Sequence, residues 1–112
     1  MLVAVYGTLK KGRGNSSLLS ASAFMGMQML EGFVMYSAGG FPVIYRQEGK
    51  FIFIEVYEVD EATLTGSLDR LEGHPTWYRR ELVDTVFGDA WIYIMLDTRY
   101  QRDDNLIETG EF

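Results

Sequence analysis

Between Phe51 and Val59 the chain reads Phe, Ile, Phe, Ile, Glu, Val, Tyr, Glu, Val. β-branched and aromatic side chains suit a pleated strand, and here they occupy both faces of it. A strand with two apolar faces must be covered on both sides. It belongs at the centre of a sheet, or in one that closes or curls strongly on itself. The rest of the chain has to supply that cover.

Other strands are legible around it. Residues 2–6 form a short buried strand. Residues 23–36, rich in Met and Phe and punctuated by Gly26 and Gly32, suit one or two bent strands better than a helix. Gly39-Gly40-Phe41-Pro42 is a turn leading to the short apolar piece Val43-Ile44-Tyr45. Two strands are expected over Tyr78 to Phe87 and Ala90 to Leu96, with Gly88-Asp89 as the tight turn between them. The polar tail from Asp97 onward carries Leu106-Ile107, which can dock on the body.

Two helices are predicted. Asn15 can cap a short one through Ser20. The better one starts at Asp60, with Val59 and Leu64 placed as a hydrophobic staple and Glu61 in the first turn. Leu64, Leu68 and Leu71 make its apolar stripe, and Gly73 followed by His74-Pro75 ends it. The order implies an α+β fold, a mixed sheet curled toward a barrel with flanking helices, in one domain spanning residues 1–112.

Composition excludes several function classes. The net charge is −6 and the ten Lys and Arg residues are scattered, so no basic face for nucleic acid is expected. There is no cysteine, hence no disulfide framework, zinc-thiolate site or thiol nucleophile. A single histidine, His74, offers no metal pair and reads as an exposed turn residue. The apolar stretch before Tyr6 is too short for a signal peptide or a membrane span, which makes the cytoplasm the expected compartment and a membrane partner unexpected. Met25, Met27 and Met29 read as core filler, and Glu55 as a strand carboxylate bonded to a tyrosine or an ion-pair partner.

Two features point to chemistry. After the first strand comes Tyr6-Gly7-Thr8-Leu9-Lys10-Lys11-Gly12, a loop with a glycine near each end. Glycines let several backbone N–H groups converge and let a ligand approach the main chain. The loop nearly spells a phosphate-binding P-loop, but Arg13 and Gly14 stand where that motif needs lysine and a hydroxyl, so nucleotide binding is rejected. The second feature is Glu72. On a regular helix it lies about 40° round from Leu68, at the edge of the buried stripe and in the C-terminal turn. Burial and the helix dipole both push its pKa upward, toward a general base. The alternative is a boundary glutamate that reaches water or pairs with Arg79 or Arg80.

Taken together, Val5 to Gly12, Tyr36 to Pro42, Glu55-Val56-Tyr57-Glu58-Val59-Asp60, Leu68-Asp69-Arg70-Leu71-Glu72-Gly73, Tyr78-Arg79-Arg80 and the closing Leu106 to Phe112 resemble the γ-glutamylcyclotransferase-like (avirulence-induced-gene-like) family. The resemblance spans nearly the whole chain. It implies conversion of a γ-glutamyl amine or amino compound to 5-oxoproline and the free amine, without a cofactor or metal. It also implies Glu72 as the base, Tyr6, Gly7, Thr8 and Leu9 as the loop cradling the substrate, and Tyr78 as a pocket tyrosine. Loop dipoles and Arg80 are the candidates for holding the anionic glutamyl group. Ile54 departs from the family pattern, where glycine is common. The competing readings are a pocket protein that binds a small ligand without turning it over, and an interaction module on the same scaffold.

Overall fold

The computed structural model describes residues 1–7, 9, 10, 12, 19 and 22–112. The expected helix over Asn15 to Ser20 lies outside the described residues. Five strands form one sheet: β1 (Leu2–Val5), β2 (Ala23–Ser37), β3 (Pro42–Glu58), β4 (Tyr78–Thr85) and β5 (Gly88–Met95), in the spatial order β2-β3-β1-β5-β4. β1 runs antiparallel to β3, with Val5 opposite Glu55, and parallel to β5, with Leu2 opposite Ala90. The sheet is therefore mixed.

β2 is one long bent strand. Its register against β3 slips between Phe24 and Gly26 and again between Glu31 and Phe33, at the two glycine-containing steps. β3 continues through the polar stretch Arg46 to Lys50, which the sequence reading left outside a strand. That stretch is exposed: Arg46 pairs with Phe33 and Phe51 with Glu31, while Gln47 to Lys50 stand outside the paired register, opposite Gly32 alone. The β4–β5 turn is Val86-Phe87 and not Gly88-Asp89, because Thr85 pairs with Gly88. Gly88 instead opens β5 with φ 119°, a conformation that favours glycine.

The sheet curls but does not close: among the described residues no strand pairing joins β4 to β2 or β3. Side chains span the gap. The Val86 N–H donates to Gln28 Oε1 at 2.9 Å, and Arg46 pairs with Glu81 at 2.9 Å. Phe87 lies against Gly26 so tightly that a Cβ there would come within 2.5 Å of its ring.

Alternation along the strands makes two cores. One face of the sheet gathers Ala4, Ile44, Ile52, Ile54, Val56 and Ile92 inside the curl. The other face packs Val3, Val5, Tyr57 and Tyr93 against Leu64 and Leu68. Leu106 and Ile107 dock one on each core, and the Ile107 N–H donates to Met35 O at 2.9 Å. Met25, Met27 and Met29 are not core filler: they are 44%, 60% and 46% exposed, because β2 is an edge strand and their side lies outside both cores. No helix among the described residues is long and apolar enough to cross a membrane.

Residues 61–72 are helical. Asp60 Oδ1 accepts from the Thr63 N–H at 2.7 Å, the cap its side chain promised. Thr63–Leu68 is wound as a π-helix before α1 (Asp69–Glu72) resumes the tighter winding. Thr63, Thr65, Gly66 and Ser67 are weak helix formers, which fits a loosened turn. Burial of Leu64 and Leu68, each contributing roughly 1.5–3 kcal/mol, holds the element to the sheet. Gly73 stops it in the left-handed conformation at φ 64°.

Candidate active site

β1 is central, so the loop that leaves it emerges from the middle of the sheet. The Lys10 N–H donates to Gly7 O at 3.0 Å, tying the loop back onto its first glycine. Gly7 sits under Pro42: a Cβ at position 7 would come within 2.7 Å of the Pro42 ring. Only glycine permits that approach without displacing the proline. The turn before β3 is thereby pressed onto the loop after β1. Tyr78, at the start of β4, ties the same turn from the other side by donating its hydroxyl to Pro42 O at 3.2 Å.

These elements enclose a cavity of about 190 Å³. Tyr6, Gly7 and Leu9 form one part of its wall, Leu71 and Glu72 from the helix end another, and Phe41, Trp77, Tyr78 and Tyr93 complete it. Five of the seven predicted site residues thus share one cavity: Glu72, Tyr6, Gly7, Leu9 and Tyr78. Thr8 lies outside the described residues. Arg80 is not on the described wall. Its Nε binds Asp69 at 2.9 Å, and its guanidinium stacks 4.4 Å above Trp91. The sequence reading of Arg80 as an anchor for substrate is corrected accordingly: its charge is already matched by Asp69. Ile54, 1% exposed, packs inside the curl and does not narrow the cavity.

Every phenol on the wall has an internal acceptor. Tyr6 donates to Tyr93 O at 2.5 Å, Tyr78 to Pro42 O, and Tyr93 to Asp69 Oδ1 at 2.5 Å. Burial first, and then neighbouring acidic groups, push all three hydroxyls well above the usual phenol range, so they stay protonated. Glu72 differs. Among the described residues nothing donates to its carboxylate, since Arg79 is taken by Glu81 and Arg80 by Asp69. Burial alone raises it from 4.5 to about 7. A wall of protonated phenols with one carboxyl unpartnered among the described residues, half ionised near neutrality, can accept a proton from a bound ligand and give it back.

The sequence profile of a family described as gamma-glutamyl cyclotransferase, AIG2-like, matches residues 3–112. The chain belongs to this family. It is 39% identical over 112 residues to a Vibrio cholerae protein, covering 99% of this chain and 94% of that one. It is 34% identical to the Escherichia coli γ-glutamylcyclotransferase family protein YtfP, covering 100% of this chain and 96% of the relative. Among solved structures, a γ-glutamyl cyclotransferase-like fold is shared with a Pyrococcus horikoshii protein at TM-score 0.81 and 31% identity, covering 100% and 89% of the two chains. A mouse AIG2-like protein matches at TM-score 0.81 and 26% identity, covering 99% and 86%.

Sequence reasoning missed part of this family member's site. Asp69 precedes Glu72 by one turn and clamps β4 and β5 to the helix through Arg80 and the Tyr93 hydroxyl. His74 was read as an exposed turn residue. It is half-buried, and its Nδ1 accepts from the Arg80 N–H at 3.3 Å. Of the two partners expected for Glu55, a tyrosine or an ion-pair partner, the structure shows the tyrosine: Tyr57 donates to its Oε1 at 3.0 Å. Trp77 and Phe41 carried no signal beyond being aromatic. Among the described residues no cluster of three or more His, Asp or Glu side chains could hold a metal.

Proposed function

We propose that this protein is a γ-glutamylcyclotransferase acting on a γ-glutamyl amine or amino compound, with Glu72 as its general base. The observation that carries the reading is Glu72: a carboxyl without a partner among the described residues, raised to about 7, on the wall that also holds Tyr6, Gly7 and Leu9. A carboxyl on that wall can meet the α-ammonium of a γ-glutamyl group and take its proton. Family membership supports the reaction type.

The steps follow from what each group can do. The substrate's α-ammonium loses its proton to Glu72 and the free amine attacks the γ-carbonyl carbon, forming a C–N bond. The carbonyl oxygen becomes an oxyanion, for which main-chain N–H groups of the Tyr6–Leu9 loop are the candidate donors, worth ~10²–10³ in rate apiece. Collapse breaks the bond to the leaving nitrogen as Glu72 returns its proton there; the ring nitrogen then gives up its second proton, by way of Glu72, to the departing amine, which leaves as an ammonium. Ring closure is intramolecular, so holding the glutamyl chain folded is a large share of the work. Proton transfer by a placed base adds ~10²–10⁴. Atoms balance without water, oxidant or cofactor.

The test is release of 5-oxoproline from a panel of γ-glutamyl amines by the intact chain and by Glu72→Gln. Release by the first and its loss in the second, with folding preserved, is expected. Equal turnover by both would remove Glu72 from the reaction, and no release from any substrate would remove the activity.

A further inference from the structure

The cavity is graded from inside to outside. Tyr6, Tyr78 and Tyr93 are all buried. Phe41 and Leu71 are half-buried, and Trp77 is 44% exposed. Nearly half of an indole is left in water at the mouth of an enclosed cavity. Apolar surface gathered at such a mouth is characteristic of ligand contact.

The rim is also held in place. Phe41 and Trp77 meet edge to face at 5.7 Å and 75°, and Trp77 meets Tyr78 at 5.5 Å. The two rim rings come from separately anchored turns. The Ala38 N–H donates to Phe41 O at 2.9 Å, and the Trp77 N–H donates to Gly73 O at 2.9 Å, directly after the helix stop that follows Glu72. The Leu96 N–H donates to Trp77 O at 3.2 Å. A rim fixed in this way loses little freedom when something lies against it.

We propose that Phe41 and Trp77, with Leu71 beside them, form the leaving-group subsite, and that it selects γ-glutamyl amides whose amine carries an apolar aryl substituent. The inference rests on the cyclisation reading above. For the α-amine to reach Glu72, the glutamyl half must sit among the phenols. The other substituent of the amide then points outward across the rim, where an aryl ring would cover the open side of Trp77.

The experiment compares γ-glutamyl benzylamide with γ-glutamyl methylamide. The ratio of their kcat/KM values should fall about tenfold in Trp77→Ala and be kept in Trp77→Phe, a size in line with what one apolar group contributes to discrimination. Taking the change in the ratio cancels the intrinsic reactivity of the two amines. Separately, γ-glutamyl benzylamide is titrated into Glu72→Gln, and the two indole N–H resonances are followed. The Trp77 signal should shift and that of Trp91, stacked under Arg80, should not. Turnover with an unchanged ratio in Trp77→Ala overturns the subsite and leaves the cyclisation standing. A Trp77 shift without 5-oxoproline from any amide keeps the subsite and removes the reaction. No 5-oxoproline from any amide, together with no Trp77 shift, overturns both.

Discussion

Replacing Glu72 by Gln should separate activity from stability in opposite directions. The carboxyl moves from 4.5 in the unfolded chain to about 7 in the fold, because burial disfavours its charged form. Each pKa unit corresponds to about 1.4 kcal/mol, so the ionised side chain costs the folded state up to roughly 3 kcal/mol relative to the neutral one. The folded state binds the proton more tightly. Stability associated with Glu72 is therefore fully present below about pH 4.5, falls as pH rises toward 7, and is level above that. Glutamine carries no proton and pays no such cost. The variant should match the parent at pH 4 and exceed it by up to roughly 3 kcal/mol at pH 8, a gain on the order of 10 °C in Tm for a chain of this length. Turnover should fall ~10²–10⁴ in the same protein. Thermal melts at pH 4, 6 and 8, followed by circular dichroism, together with 5-oxoproline release, check both. A Tm difference that does not change with pH, or a variant that is less stable at pH 8, would refute the desolvation argument.

Further expectations follow from the same geometry. In the parent, kcat/KM should rise with pH and level off above about 7, since the base must be ionised to act; a profile flat down to pH 5 would assign the base elsewhere. Gly7→Ala forces the Pro42 ring to move from a 2.7 Å contact, and should lose roughly 1–3 kcal/mol in urea unfolding while raising KM. Asp69→Ala leaves Arg80 without its partly buried partner and Tyr93 without an acceptor; a loss of about 3 kcal/mol is expected, against less than about 1 kcal/mol for Arg46→Ala at the exposed Glu81 pair. Leu68→Ala empties a fully buried site under the helix and should cost ~2–5 kcal/mol by the same unfolding measurement.

Local physics was readable from the residues, and pairing at a distance was not. Gly26 and Gly32 marked the bends of β2 because bulged backbone favours glycine there, and Asp60 and Gly73 marked the helix because capping and stopping are local acts. Arg46 to Lys50 carried no strand signal, since an exposed polar stretch that bulges out of the register with β2 has no apolar alternation to show. The methionines of β2 were misread for the opposite reason: hydrophobic type was taken for burial, and an edge position overrode it. Glu72 and Tyr6 to Leu9 stood out by residue type and spacing. Tyr93 and Asp69 did not, and Arg80 was given the wrong partner, because their mutual contacts exist only once β4, β5 and the helix come together.

The position of β1 has a consequence for how the molecule is assembled. Leu2 through Val5 have no partner near them in the chain: one side needs Glu55 to Glu58 and the other needs Ala90 to Ile92. Loop closures of that span are slow compared with hairpins such as β2–β3 and β4–β5. The N-terminal strand is thus expected to be inserted late, between two halves already made. The cavity of the candidate active site, whose loop hangs from that strand, is then completed only in the last step of folding.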